Sequence, residues 1–295
     1  MHLLKKLQKI WPLFPAALYL LTFFIVVLTS LVVMSFSGGS HEGFPSSDPW
    51  RTLIHLPEFR HALIDTTLFV FIGTPLELIV GFFLALLLYH SFYVRNVIRA
   101  IFIIPIAIPA LVTATLLFIL FDTQGGIINH LLLGKYHFFP AVIQNSIDWR
   151  GTKFFSLGLS MAGKLWRDMP ISMLILLAGL NAIDIQLFDA AKTMGAGLRQ
   201  RIRHIIIPLI IPSISAVVLL RSIEMWKEFI FPYILAGRYN LLSTLIEYLY
   251  INWSGTYKNE ASLVALILVA CIIISALLFL WIIGIINRQL CDSER

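Results

Sequence analysis

Cysteine is almost absent: only Cys271 and Cys291 occur, so neither a disulfide framework nor a cysteine-based metal site can be assembled. His41, His55, His61, His130 and His137 are scattered over separate polar loops, which argues against a histidine metal site. Charge is scarce too. Asp, Glu, Lys and Arg make up 13% of the chain, about half the share of soluble domains. No stretch alternates apolar and polar residues over about ten positions, which excludes a transmembrane β-barrel. A cleavable leader is not expected either. Lys5, Lys6 and Lys9 precede an apolar run longer than the roughly 7–15 residues of a signal core, and no small-x-small site follows. That run reads as an uncleaved signal-anchor.

What remains is apolar. Hydrophobic residues form 59% of the sequence and the mean hydropathy is +0.87, the composition of an integral membrane protein. A spanning helix needs roughly 20 mostly apolar residues. Six segments qualify, near 12–36, 62–89, 99–121, 154–180, 209–231 and 261–286. The expected fold is all-α and polytopic, one transmembrane domain over residues 1–295 with no independent soluble core, since the loops are short. With the N-terminus inside, eleven Lys and Arg fall inside against seven outside, which places both termini in the cytoplasm. The net charge of +6 reports this topology and not nucleic-acid binding. Trp50, Trp149 and Trp253 occupy outside loops as interfacial aromatics.

One cytoplasmic loop is long, residues 181–208, and carries Lys192, Arg199, Arg201 and Arg203. Asp184 suits the N-cap of a short helix through 185–194, and Gly195 or Gly197 suits a left-handed C-cap. Ala190 and Ala191 present almost no side chain, so another surface can approach closely. Pro208 is tolerable in the first turn of the following helix.

The order Asp189-Ala190-Ala191, three residues, Gly195, nine residues, Ile205-x-Ile207-Pro208 resembles the EAA loop of permease subunits in binding-protein-dependent, ATP-driven (ABC) importers. Asp189 replaces the usual Glu, Ile207 the usual Leu, and Met194 stands where many sugar permeases have Asp. Stretches such as "DTTLFVFIGTPLELIVGFFLALLL", "IIPIAIPALVTATLLFILFDTQGGIIN" and "MWKEFIFPYILAG" look like the spans of carbohydrate-uptake permeases of the maltose and glycerol-phosphate type. The resemblance implies a type I importer permease in the cytoplasmic (inner) membrane of a bacterium or archaeon. It would pair with a second permease, dock two ATPase subunits through an EAA coupling helix, and receive solute from an extracytoplasmic binding protein. Asp189, Ala190, Ala191, Gly195, Ile205 and Pro208 would be the coupling residues. The chain itself would hold no cofactor; Mg-ATP would belong to the partner.

Charges inside the spans cost roughly 2.5–3.5 kcal/mol each on insertion scales and should pair or face a watery cavity. The fourth and fifth spans hold Lys164, Arg167, Asp168, Arg221, Glu224, Lys227 and Glu228. Arg221, Met225 and Glu228 share a helix face, and Arg167, Asp168 and Ile171 cluster around Pro170. By resemblance these positions, with Trp166, fall where a maltose-type permease contacts its sugar. Two readings stay open: the charges bind solute hydroxyls, with Trp166 or Trp226 stacking, or they lock into ion pairs. Pro105, Pro109, Pro170 and Pro212 read as helix-shaping residues.

"GLSMAGKL" lacks the Ser or Thr that a P-loop needs after its lysine, so nucleotide binding is excluded there, ATP hydrolysis falls to another subunit, and Gly163 and Lys164 are assigned to helix packing and pathway electrostatics. Among importers, polyamine or another small organic solute is the rival to sugar. A secondary transporter or channel would show inverted repeats, and none is found. A cysteine at Ser46 or Asn145 should react with an impermeant thiol reagent from outside, and one at Gln200 should not; the reversed pattern would overturn the topology.

Overall fold

The computed structural model describes residues 14–37, 45–89, 93–136, 140–236 and 258–292. Lys5, Lys6, Lys9, His41, His137, Arg238, Trp253 and Arg295 lie outside them. Among the described residues every regular element is helical. The helices are α1 (Phe14–Ser35), α2 (Asp48–His55), α3 (Pro57–Tyr89), α4 (Arg95–Ala107), α5 (Ala110–Leu120) and α6 (Ile127–Leu132). They continue as α7 (Lys153–Asn181), α8 (Ile185–Thr193), α9 (Leu198–Arg201), α10 (Ile207–Trp226), α11 (Ile230–Ala236) and α12 (Lys258–Asp292). Four helical stretches are long and apolar enough to cross a membrane, or six spans if each of two bent pairs counts as one.

The chain forms two compact units, residues 1–60 with 248–270 and residues 61–247 with 271–295. In the first, α1 is apolar on all sides and almost wholly exposed, as suits a helix whose surroundings are lipid or protein. Trp50 packs on Phe36 with ring centroids 5.7 Å apart. All that follows concerns the second unit.

Two expected spans are not simple rods. The third breaks between α4 and α5 with a 94° bend. Pro109 lacks an N–H and forces Ile108 out of the helical region, to φ −84° and ψ 128°, as expected for a residue before proline. The fifth helix ends at Trp226 and not near 231; Lys227 caps it, and the chain restarts as α11. At the other end of α10, no loop separates the basic segment from the membrane helix. Residues 198–226 run as one helix through a π turn, Ile202–Ile206, in which Ile207 N–H donates to Ile202 O. The wider turn relieves the clash that the Pro208 ring would otherwise make with the carbonyl four residues back.

Two apolar cores result. Leu84 and Leu88 of α3, Met173, Leu176 and Leu180 of α7, Phe188 of α8 and Ile210 of α10 build the larger one, at the α8 end of α7. Ala114 of α5, Leu159 of α7, and Phe231 and Leu235 of α11 build the smaller, at the opposite end. Gly163 belongs to the second: a Cβ there would stand 2.4 Å from Leu117 and 2.8 Å from Phe231, so only glycine lets α7 approach so closely. The packing assigned to Gly163 is what the structure shows.

Beyond α5, the segments around 122–129 and 147–149 are tied together by Asn129, which is fully buried. Its Nδ2 donates to the carbonyls of Asp122, Thr123 and Ile147. Its Oδ1 accepts from Ile147 N and Trp149 Nε1. Amide hydrogen bonds from Gly125 and Gln124, with Arg150 beside it, hold the Asp122 carboxyl below its ordinary range. That contribution is therefore present above the usual carboxylate pKa and is lost as pH falls through the lowered value. Asn129→Leu leaves the Trp149 and Ile147 groups without partners and should cost about 1–3 kcal/mol, read as a lower melting temperature with faster proteolysis between 122 and 152. An unchanged melt would contradict this role.

Candidate functional site

Two places concentrate function. The first is α8. The Asp184 carboxylate accepts from Gln186 N at 2.9 Å and caps the start. The end is a paired turn: Ala196 N–H donates to Ala191 O and Gly195 N–H to Lys192 O, with Gly195 at φ +79°, the left-handed residue that such a turn places after a helix. Gly195 is thus the C-terminal glycine. Gly197 instead opens α9, where its N–H is held by Gln200 Oε1 at 2.9 Å.

Phe188 and Ala191 anchor α8 to its own chain, and the Phe188 ring meets Tyr89 at 5.8 Å. Ala191 therefore faces inward, and Ala190 alone of the two alanines is on the outer face with Asp189. Around them stand exposed apolar side chains: Ile185 (68%), Leu187, Met194 (86%) and Leu198. Asp189 and Lys192 form an exposed pair at 3.5 Å, which contributes little in water. Ile205 lies in the π turn and Pro208 in the first turn of α10, both half-buried. The exposed apolar rim escaped the sequence reading, although four large apolar residues in a basic loop are themselves a signal.

The second place is a layer of charge between the two cores. Every fourth residue of α7 from Ser156 to Ser172 is polar and buried: Ser156, Ser160, Lys164, Asp168 and Ser172. Residues four apart are neighbours on a helix surface, and the far end of this row meets α10 and α3, where Asp168 lies 4.0 Å from Arg221 and Ser172 donates a hydrogen bond to Glu77. Lys164 Nζ lies 2.8 Å from Asp168 Oδ2 and 2.8 Å from Glu228 Oε2. Arg167 Nη1 pairs with Asp168 Oδ1, and its Nε donates to Ile108 O at 3.2 Å.

Arg221, 1% exposed, directs Nη1 to Glu224 at 2.8 Å, Glu77 at 3.3 Å and Asp168 at 4.0 Å. Ser172 Oγ donates to Glu77 Oε1 at 3.0 Å. Nε and Nη2 of Arg221 and Oε2 of Glu77 find no partner among the described residues, so the layer has hydrogen-bonding capacity to spare.

Glu77 was missed by the sequence reading, though a carboxylate deep inside an apolar span is a default functional candidate. Gly73 and Gly81 flank it at i−4 and i+4 on α3. A Cβ at Gly81 would meet Ser172 Cβ at 2.8 Å, and one at Gly73 would meet Met225 Sδ at 3.1 Å. These glycines let α7 and α10 close over the carboxylate.

Arg221 and Met225 are buried on α10, whereas Glu228, also buried, lies past the end of that helix and not along its face. Met225 packs on Gly73, and Trp226 is buried with Nε1 donating to Ser275 at 2.8 Å. The layer holds four carboxylates (Glu77, Asp168, Glu224, Glu228) against three cations (Lys164, Arg167, Arg221), so every cation in it already has an acidic partner. Ile171 is half-buried. Trp166 (43%) and Glu224 (34%) keep open surface.

This arrangement has two measurable consequences. Met225→Trp should overpack the α3–α10 contact and lower stability by roughly 1–3 kcal/mol. Glu224→Gln, at the open edge, should cost about 1 kcal/mol or less. Thermal unfolding of both variants checks this, and the opposite ranking would mean that the other face of α10 is the buried one.

Residues 77–290 match the family model described as binding-protein-dependent transport system inner membrane component. The chain is 31% identical over 182 residues to the trehalose/maltose transport system permease protein MalF of Thermococcus litoralis, covering 61% of this chain and 59% of that protein. It is 32% identical over 193 residues to the xylose/arabinose import permease protein XacH of Haloferax volcanii, covering 63% of this chain and 58% of that protein. The matches thus span under two thirds of the length of these relatives. Among solved structures, a chain of a bacterial alginate ABC transporter, in complex with an alginate pentasaccharide-bound periplasmic protein, superposes with a TM-score of 0.76. That likeness covers 94% of this chain and 96% of the other at 18% identity. It shows that the two chains share a fold.

Proposed function

Because the chain belongs to the family of binding-protein-dependent transport system inner membrane components, we propose that it is one permease subunit of an ATP-driven importer for a sugar or sugar-like solute. The sugar class is supported by the relatives named for trehalose/maltose and xylose/arabinose. In this reading the whole chain acts as one transmembrane domain with both termini in the cytoplasm. It pairs with a second permease, receives solute from an extracytoplasmic binding protein, and leaves Mg-ATP hydrolysis to two separate ATPase subunits.

The observation that carries the proposal is α8: a short helix capped at both ends, anchored by Phe188 and Ala191, with Asp189, Ala190 and a rim of large apolar side chains exposed. Such a helix has little reason to expose Ile185 and Met194 unless a partner covers them. We assign it as the coupling helix, with Asp189, Ala190 and Ala191 setting its surface, Gly195 its exit, and Ile205 and Pro208 the joint to α10. An ATPase dimer that closes pushes on α8, and the continuous helix 198–226 carries the displacement to the charged layer.

Trp166 and the open edge of Glu224 are the groups best placed to meet solute. Arg167, Asp168, Ile171, Arg221, Met225 and Glu228 shape the pathway from behind. Gly195→Val forces a β-branched residue into the left-handed region at about 1–2 kcal/mol. It should lower binding-protein-stimulated ATPase activity in proteoliposomes on the order of tenfold, while insertion and assembly persist. Full stimulation in that variant would refute the coupling role.

A further inference from the structure

Both interrupted helices break at the charged layer. α4 gives way to α5 at Ile108–Pro109, and α10 gives way to α11 at 227–229. α7 passes through uninterrupted, yet carries Pro170 two residues after Asp168, so one of its backbone hydrogen bonds is missing there. The apolar packing divides at the same level. The buried residues of the smaller core come from α5, α11 and the start of α7, and none of them is shared with the larger core.

Each break leaves backbone groups without helical partners, and the ion pairs supply them. Arg167 Nε donates to Ile108 O, just past the end of α4, at 3.2 Å. Glu228 Oε1 accepts from Phe231 N, in the first turn of α11, at 3.2 Å. Between these two ends the contacts are continuous: Arg167 to Asp168, Asp168 to Lys164, and Lys164 to Glu228. Asp168 uses one oxygen for each cation, so the link between the two breaks passes through its carboxylate.

We propose that Lys164, Arg167, Asp168 and Glu228 are positioning residues: they fasten α5 and α11 to α7 as one body, which turns about the charged layer when the pathway opens at that end. This rests on the transport reading above. A body that shares one core and hangs on interrupted backbone can turn through φ/ψ changes at a few residues, without unpacking either core. Removing Asp168 takes from both cations the carboxylate that orients them, leaving Arg167 with Ile108 O and Lys164 with Glu228 alone, so α5 and α11 should loosen together.

Amide hydrogen exchange of the assembled importer, followed by mass spectrometry, reads this without any solute. Asp168→Asn should speed exchange in residues 110–120 and 230–236 together by about tenfold or more, and leave 172–180 within about twofold of the unmodified chain. Asp168→Glu, which keeps the charge, should restore most of the protection. Faster exchange in only one of the two segments, or an equal rise in 172–180, would overturn the proposal. Should Asp168→Asn fail to accumulate, Arg167→Lys, which loses the bond to Ile108 O, gives the same reading with the same criteria.

In the unmodified importer, Mg-ATP with vanadate should change exchange in 110–120 and 230–236 jointly; no change in either rules out the turning body. Joint exchange in an importer that carries no sugar would overturn only the assignment of solute class.

Discussion

Neither Glu77 nor Arg221 can be buried alone. Each sits on a different helix, each is essentially inaccessible, and an unpaired charge at such a place costs several kcal/mol. Their attraction matters because water is excluded around it. It fixes where α3 must meet α10. Gly73 and Gly81 make that meeting close enough, and Ser172 of α7 completes the carboxylate's surroundings. The remaining charges extend the same solution. Asp168 reaches toward Arg221 and holds Lys164 and Arg167, which hold Glu228 and the end of α4.

From this layer the rest of the second unit can be understood. On one side, α3, α7 and α10 pack through large aliphatic side chains, and α8 is fixed to them by Phe188. On the other, shorter helices restart after each break and pack on one another. A rod without interruption leads from the exit of α8 to the layer. Its π turn accommodates Pro208, so the basic segment and the membrane helix move as one piece. A push on α8 therefore arrives where the charges are, not at a flexible loop.

Much of this was legible in the residues. The apolar runs gave the spans, and Asp184 with Gly195 gave α8 nearly to the residue, because capping is local chemistry. What depended on distant partners was not. Pro109 signalled a distortion, but whether it bends a helix or breaks it depends on whether something satisfies Ile108 O, and Arg167 is 59 positions away. Met225 and Arg221 do share a face, but that this face is the buried one depends on glycines of α3. Two signals were present and passed over: Glu77 in the middle of an apolar span, and the polar residue at every fourth position from Ser156 to Ser172. Of the open alternatives for the charges, the structure places every one of them except Lys227 in an ion pair.

The central claim is that mutual pairing of buried charge, across α3 and α10, holds the unit together. A double-mutant cycle on thermal unfolding of the assembled importer measures it directly, with Glu77→Gln, Arg221→Gln and the two combined. Arg221→Gln strands Glu77 and should cost about 3–5 kcal/mol; Glu77→Gln should cost less, since Arg221 keeps Glu224 at 2.8 Å, and the double variant should lose far less than the sum of the two. Costs that simply add would show that Glu77 and Arg221 do not depend on one another, and would contradict the account.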